Sequence, residues 1–281
     1  MYAEVVVLTY QSPEIDAYTY LIPKELEKEI KVGQLIEVPF GKRNPLGIII
    51  ATYDRHPRES EDQILNPFNV QGKQVQDDKK VVIKPISKIV LENPLLLPYQ
   101  IELIKWMSSY YLAPMVNCLN AILPELPSKL LMVHGSWHKQ NKTINYELST
   151  VNQSLILVPS INRIPETLAK FPKAKNYVVY HNELKTSEKF AIWTKIKSGE
   201  VDYIFGSRSA IFTPCSNLKQ IIIYDEHDGA YKDERSPYFD TLTVAQKISQ
   251  LTKTQIKIVD PSPKITTFLQ LPKNIKIQKI P

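Results

Sequence analysis

Residues 203–228 read YIFGSRSAIFTPCSNLKQIIIYDEHD. Two apolar runs, Tyr203–Phe205 and Ile221–Tyr224, each break off into a polar cluster: Gly206-Ser207-Arg208-Ser209 after the first, Asp225-Glu226-His227-Asp228 after the second. A strand that is apolar along its whole length is buried on both faces, the mark of a parallel sheet covered by helices. The pattern continues outward through KLLMVHG (129–135), SLILVPS (154–160), NYVVYH (176–181) and TQIKIVDPS (254–262). Helical stretches lie between them, among them TSEKFAIWTKIKSG (186–199) and TLTVAQKISQLT (241–252). Strand alternating with helix predicts an α/β layer of Rossmann or RecA type from about residue 128 to 281, with ligands at the carboxyl ends of the strands. The polar clusters fall at those ends.

Upstream the pattern is different. AEVVVLTY (3–10), AYTYLIP (17–23), GQLIEVPF (33–40) and PLGIIIATY (45–53) are short β segments separated by turn residues such as Ser12-Pro13 and Gly41-Lys42-Arg43-Asn44. They predict a small β-barrel or curled sheet over residues 1–127, and the polar stretch from Asp54 to Lys80 reads as an exposed loop within it. A further strand, VVIKPISKIVL (81–91), follows, and then YQIELIKWMSSYYL (99–112) sets Ile101, Ile104, Met107 and Tyr111 at helical spacing. Ala113-Pro114 ends that helix before a short second one toward Leu123, and the pair is expected beside the barrel.

The 281 residues allow about two domains of ordinary size, and 43% hydrophobic with 23% charged residues excludes disorder and coiled coil. Cys118 and Cys215 are the only cysteines, too few for a disulfide scaffold or a cysteine zinc cluster, so both are expected as small buried residues in a reducing cytoplasm. No run reaches the ~18 apolar residues of a membrane span, and Glu4 stands where a signal peptide would be positive. The net charge of +6 is uneven: residues 1–130 carry −2 and residues 131–281 carry +8. That surplus fits a polyanionic partner or a lysine-rich solvated surface.

Three places hold residues suited to chemistry. Asp225 and Glu226 close an apolar strand as they would in a magnesium-binding NTPase, or form an acidic turn without a metal. His134-Gly135 to Lys142-Thr143 ends as a phosphate loop does, but it is one residue longer than G-x-x-x-x-G-K-S/T and has Asn141 in place of the second glycine. It reads as an ATP-binding loop of Gly135, Lys142 and Thr143 or as a turn without nucleotide. Gly206, Ser207, Arg208 and Ser209 would set a guanidinium at a strand end, to clamp a phosphate or to tie the fold.

Together these segments resemble the bacterial primosomal protein N′ family, the PriA-type replication-restart helicases, over nearly the whole chain. The likeness is carried by AYTYLIP, VGQLIEVPFGKRNPLGIII (32–50), KPISKIVLENPLLLPYQIELIKWMSSYYLAP (84–114) and LNAILPELP (119–127). It continues in LILVPSI (155–161), in HNEL (181–184) with SEKFAIWTKIKSGEVDYIFGSRSAIFTPCSNLKQIIIYDEHDGAYKDE (187–234), and in VDPSP (259–263). The resemblance implies a 3′-end DNA-binding domain over residues 1–127 and the first RecA-like lobe of a helicase over 128–281. It further implies Gly206, Ser207, Arg208 and Ser209 as a single-strand-binding motif. Tyr18, Thr19, Tyr20, Phe40, Gly41 and Lys42 would form an end pocket, with Thr19 where the family carries an aspartate that accepts from the sugar hydroxyl, and with the rings of Tyr18, Tyr20 and Phe40 either stacking a base or filling the small barrel. A threonine accepts without charge assistance, which predicts a weaker preference for a 3′-OH.

The departures from the family gather at the motor. A winged helix and an adenine-contact segment are missing after Leu123-Pro124, two phosphate-loop glycines are lost, and the chain stops before the zinc insertion and second lobe. A gap-free register puts Tyr224 on the first aspartate of the family's D-E-E-H-D box, while a one-residue slip restores D-E-x-D. The expectation is a DNA-binding protein of replication restart that recognises forked, single-stranded or 3′-ended DNA with restart partners. Its ATP and magnesium chemistry is expected to be lost, with no zinc and no membrane. Two other readings stand beside it: an ATP-dependent helicase fragment completed by a separate lobe, in which Asp225 and Glu226 are catalytic, and a protein-interaction remnant.

Overall fold

A computed structural model describes residues 1–9, 16–54, 83–127, 151–265 and 275–278. These divide into two compact units, Met1–Ile101 with Pro114–Val116 and Glu102–Ala113 with Asn117–Pro281.

The first unit is built on β1 (Tyr2–Val7), β2 (Tyr18–Leu21), β3 (Leu35–Glu37), β4 (Leu46–Tyr53) and β5 (Lys88–Ile89). All adjacent pairs are antiparallel, in the order β2-β1-β4-β3-β5. The segment that leads into β5 meets β2 from the other side: Leu21 N donates to Lys84 O (3.0 Å) and Ile86 N to Leu21 O (3.0 Å), so the sheet curls into a ring. A closed sheet buries its inner face without a covering layer, and Val5, Val7, Tyr20, Ile36, Val38 and Ile49 fill this one. Gly33, at φ +86°, lies so close to the Leu96 carbonyl that an added Cβ would sit 2.5 Å from its oxygen.

Helix α1 (Pro98–Tyr111) starts with Pro98 and a buried Gln100 whose Oε1 accepts from Leu97 N, and ends on Leu112 in the left-handed region. Helix α2 (Met115–Ile122) follows, its first amide donating to Asp16 Oδ1 at 3.1 Å. The sequence placed these helices beside the barrel, but most of both belongs to the second unit. There Lys247 lies over the Trp106 ring, Asp240 N donates to Tyr111 Oη (3.3 Å) and Asn117 Nδ2 to Ser236 Oγ (3.0 Å). An apolar stripe says that a helix face is covered, not which sheet covers it.

The rest of the second unit is a parallel α/β layer. Its elements are β6 (Gln153–Leu157), α3 (Ile164–Ala169), β7 (Tyr177–Tyr180), α4 (Thr186–Lys197), β8 (Tyr203–Gly206), β9 (Leu218–Tyr224), α5 (Thr241–Thr252), β10 (Gln255–Val259) and β11 (Ile275–Gln278). The strand order is β11-β10-β9-β6-β8-β7, every pair parallel. Leu155, Ile156, Ile204, Phe205, Ile221 and Ile223 are almost wholly buried, as the continuous apolar runs required. Trp193 is 1% exposed, a core residue of α4, and Cys118 and Cys215 are buried without a disulfide.

Candidate nucleic-acid interface

The carboxyl ends of β8 and β9 carry the two polar clusters that the sequence singled out. Gly206, the last residue of β8, is held to β7 so tightly that an added Cβ would sit 2.3 Å from Tyr180 O and 2.4 Å from the Ala210 Cβ. Any side chain there would prise the strands apart. Ser207 follows in extended conformation, and Arg208 opens a 3₁₀ turn, Arg208–Phe212.

The Arg208 guanidinium turns inward. Its Nη1 donates to the carbonyls of Ala230 and Lys232, and its Nη2 pairs with Asp233 Oδ2 at 3.3 Å. These contacts use three of its five N–H groups. Arg208 thus clasps the segment after β9 to the end of β8, across the intervening β6. Asp233 also pairs with Arg235 Nε, at 3.4 Å.

The acidic turn after β9 is closed on itself in a similar way. Asp225 sits at φ +48° and accepts from Arg163 Nη2 at 2.8 Å, a contact that raises the arginine pKa further above its ordinary value. Glu226 is 1% exposed; Lys264 Nζ lies 3.4 Å from its Oε1 while Lys264 N donates to its Oε2 at 3.2 Å. His227 Nδ1 lies 2.8 Å from Asp260 Oδ2, and Asp260 also accepts from His227 N (3.1 Å) and Ser262 N (2.7 Å). The hydrogen bond to Asp260 raises the imidazole pKa. Burial alone would push the Asp260 carboxyl up, but its bonds to His227 and Ser262 outweigh that and hold it below its ordinary value. Asp228 caps the next turn by accepting from Ala230 N at 2.8 Å. Among the described residues no group of three or more His, Cys, Asp or Glu is arranged to hold a metal ion, and both carboxylates expected to face magnesium are taken by cations of the chain. The donor set does not fit Mg²⁺.

The supposed phosphate-loop residues Gly135, Lys142 and Thr143 lie outside the described residues. In the barrel, Tyr18 and Phe40 meet edge to face (ring centroids 5.1 Å apart), and Phe40 and Arg43 exchange backbone hydrogen bonds around Gly41 (φ +61°) and the exposed Lys42. Tyr20 is core, 4% exposed, and burial pushes its hydroxyl up to about 12. Thr19 alternates to the other face of β2, opposite Glu4, whose carboxylate accepts from Tyr53 Oη at 3.0 Å. The structure therefore gathers Tyr18, Phe40, Gly41 and Lys42 and sets Thr19 apart from the ring pair.

A cavity of about 560 Å³ opens at the ends of β7 and β8, lined by Asn117, Asn120, Asn182, Ser209, Phe212 and Arg235 among others. Its walls come from four separate segments of the second unit, which is why sequence reasoning missed it. Ser209 is the sequence-predicted site residue in its lining, and the polar end of NYVVYH contributes Asn182.

Residues 5–124 match the family model of the PriA 3′ DNA-binding domain. A curated relative, the replication restart protein PriA of Thermotoga maritima, is 34% identical over 118 residues, 41% of this chain and 16% of its own. The PriA of Rickettsia conorii is 25% identical over 302 aligned positions that take in 92% of this chain and 42% of its own. The chain is a PriA-type protein. The PriA of Helicobacter pylori extends the same likeness over 86% of this chain at 24% identity, covering 40% of its own length. The chain thus spans less than half the length of these PriA relatives, and its PriA-type likeness takes in both the ring of strands and the parallel layer. Among the described residues no helix is long and apolar enough to cross a membrane.

Proposed function

We propose that this chain is a cytoplasmic DNA-binding protein of replication restart that holds forked or 3′-ended DNA, and that it does so without turning over ATP. The observation that carries the first half is the match of residues 5–124 to a 3′ DNA-binding domain. Its single-stranded contacts would come from Tyr18, Phe40, Gly41 and Lys42 on the barrel and from Gly206, Ser207, Arg208 and Ser209 at the end of β8. Arg208 keeps two N–H groups for a phosphate while its other three hold the segment after β9.

The second half rests on the closed acidic turn. A carboxylate that already pairs with Arg163 or Lys264 would have to surrender that partner to bind Mg²⁺ or orient water. One observation favours a helicase fragment instead: Asp225 and Glu226 do stand at the carboxyl end of a central parallel strand.

Two assays on the purified chain separate these readings. Fluorescence anisotropy with a fork bearing a 3′-OH, a fork bearing a 3′-phosphate and a blunt duplex is expected to show both forks bound more tightly than the duplex, with a linear fall of log affinity against log salt. ATP hydrolysis with and without the fork is expected to stay at background. Equal affinity for all three DNAs, or fork-stimulated hydrolysis that Lys142→Ala abolishes, would overturn it.

A further inference from the structure

The outer face of the barrel carries a carboxylate where a surface that binds DNA would ordinarily carry cations. Strands β2, β1 and β4 run side by side, and alternate residues of each turn away from the core that Ala3, Val5, Tyr20 and Ile49 help to fill. Tyr2 stands opposite Leu21 on one side and Tyr53 on the other, a row of tall side chains in which Leu21 and Tyr53 are 37% and 38% exposed. Two residues along β1, Glu4 stands opposite Thr19 and Ala51 on the same face. Both of these neighbours are short, so Glu4 lies in a shallow trough beside the taller row.

Within that trough the half-buried Glu4 carboxylate is held but not neutralised. Tyr53 Oη donates to its Oε2 at 3.0 Å, reaching diagonally from the taller row. Among the described residues no other side chain bonds to the carboxylate and no cation pairs with it. Burial and the nearby Glu4 charge push the Tyr53 hydroxyl up to about 12, so it keeps its proton and remains a donor.

An ionised carboxylate accepts a charge-assisted hydrogen bond from a hydroxyl and repels a phosphate. Along a DNA strand the 3′ oxygen of each sugar is a phosphate ester, except at the last residue, where it is a hydroxyl. A cation on this face would hold any part of a strand; a carboxylate favours its end. The strands that flank Glu4, β2 and β4, lie within residues 5–124, the stretch that matches a 3′ DNA-binding domain. Thr19 directly follows Tyr18 in β2, so the trough begins where the Tyr18–Phe40 ring pair leaves off.

We propose that Glu4 is the residue by which this barrel selects a free 3′ end, its carboxylate accepting from the terminal hydroxyl while Tyr53 holds it in position. The inference rests on the DNA-binding reading above. It adds a specificity-determining residue and a positioning residue on the outer face of the ring.

The test compares two 15-mers of one sequence, labelled at the 5′ end and finishing in either a 3′-hydroxyl or a 3′-phosphate, by anisotropy with the full chain. The wild-type chain is expected to bind the hydroxyl-ended strand about tenfold more tightly. Glu4→Gln keeps the shape and removes the charge, so the preference should fall to about twofold, chiefly because the phosphate-ended strand gains affinity. A merely structural role would weaken both strands alike and could not give that gain. Should Glu4→Gln fail to fold by circular dichroism, Tyr53→Phe, which deletes one hydroxyl from a partly exposed ring, carries the same comparison with an expected preference of about threefold. A tenfold preference that survives in the folded variant places end selection elsewhere and overturns the inference while leaving DNA binding intact. Equal wild-type affinity for both strands overturns it as well. Binding to neither strand removes the DNA-binding reading and the inference together.

Discussion

The turns after β8 and β9 lie at one edge of one sheet, are equally rich in polar residues, and end differently. After β9 each titratable side chain of the turn has a partner from the same chain: Arg163 for Asp225, Lys264 for Glu226, Asp260 for His227, and Ala230 N for Asp228. After β8 the buried Ser209 hydroxyl has no hydrogen-bond partner among the described residues, and Arg208 has donors to spare. A cluster of charged residues at a strand end is therefore no measure of a site. What separates the two turns is where lone pairs and protons go once the fold is made.

The largest effect that would break this contrast is steric. Gly206→Ala would put a methyl group 2.3 Å from the Tyr180 carbonyl, and since that oxygen belongs to a paired strand the sheet must open; a loss of about 3 kcal/mol is expected in urea unfolding. Lys264→Ala removes the ammonium from a buried Glu226 and should cost about 1–3 kcal/mol by the same measurement. A neutral result there would mean that the turn is not held by that pair and that the carboxylate is available after all. Arg208→Ala is expected to lower single-strand affinity and flatten the salt slope by about one unit. Lost stability with an unchanged slope would reduce Arg208 to a clasp.

The His227–Asp260 pair gives a smaller effect with a defined sign. The histidine pKa is raised, so its contribution is full below its unfolded pKa near 6.5 and is lost as pH rises through the higher folded value. The aspartate pKa is lowered, so its share persists until the pH falls below the usual carboxylate range. His227→Ala should therefore lower the melting temperature more at pH 5.5 than at pH 8.5, and a reversed order would break the pairing. Last, Asp225→Asn should leave ATP hydrolysis at the same background as the unsubstituted chain.

Much of this architecture was legible in the residues themselves. Short β-branched apolar runs such as Ile221–Tyr224, each closed by a polar turn, read as strands covered on both faces, and the short segments before residue 54 read as a small barrel or curled sheet. Tyr18 and Tyr20, two apart, fall on one face by the geometry of a strand, which leaves Thr19 on the other. Less legible were the side of the fold that α1 and α2 would cover and the partners of the acidic turn. Arg163 and Lys264 lie far along the chain from Asp225 and Glu226, and nothing in their local sequence marks them as counter-ions. The cavity was invisible for the same reason, since four separated segments line it.

The ring of the first unit has a mechanical consequence. Tyr53 pairs with Tyr2, Tyr2 with Leu21, and Leu21 hydrogen-bonds Lys84 and Ile86, so the chain leaves the hoop at Tyr53 and rejoins it at Lys84 through neighbouring staves. A protease nick between residues 55 and 82 would therefore not unhoop the barrel. The two fragments would stay laced by main-chain bonds, travel as one species through a sizing column, and part only in denaturant.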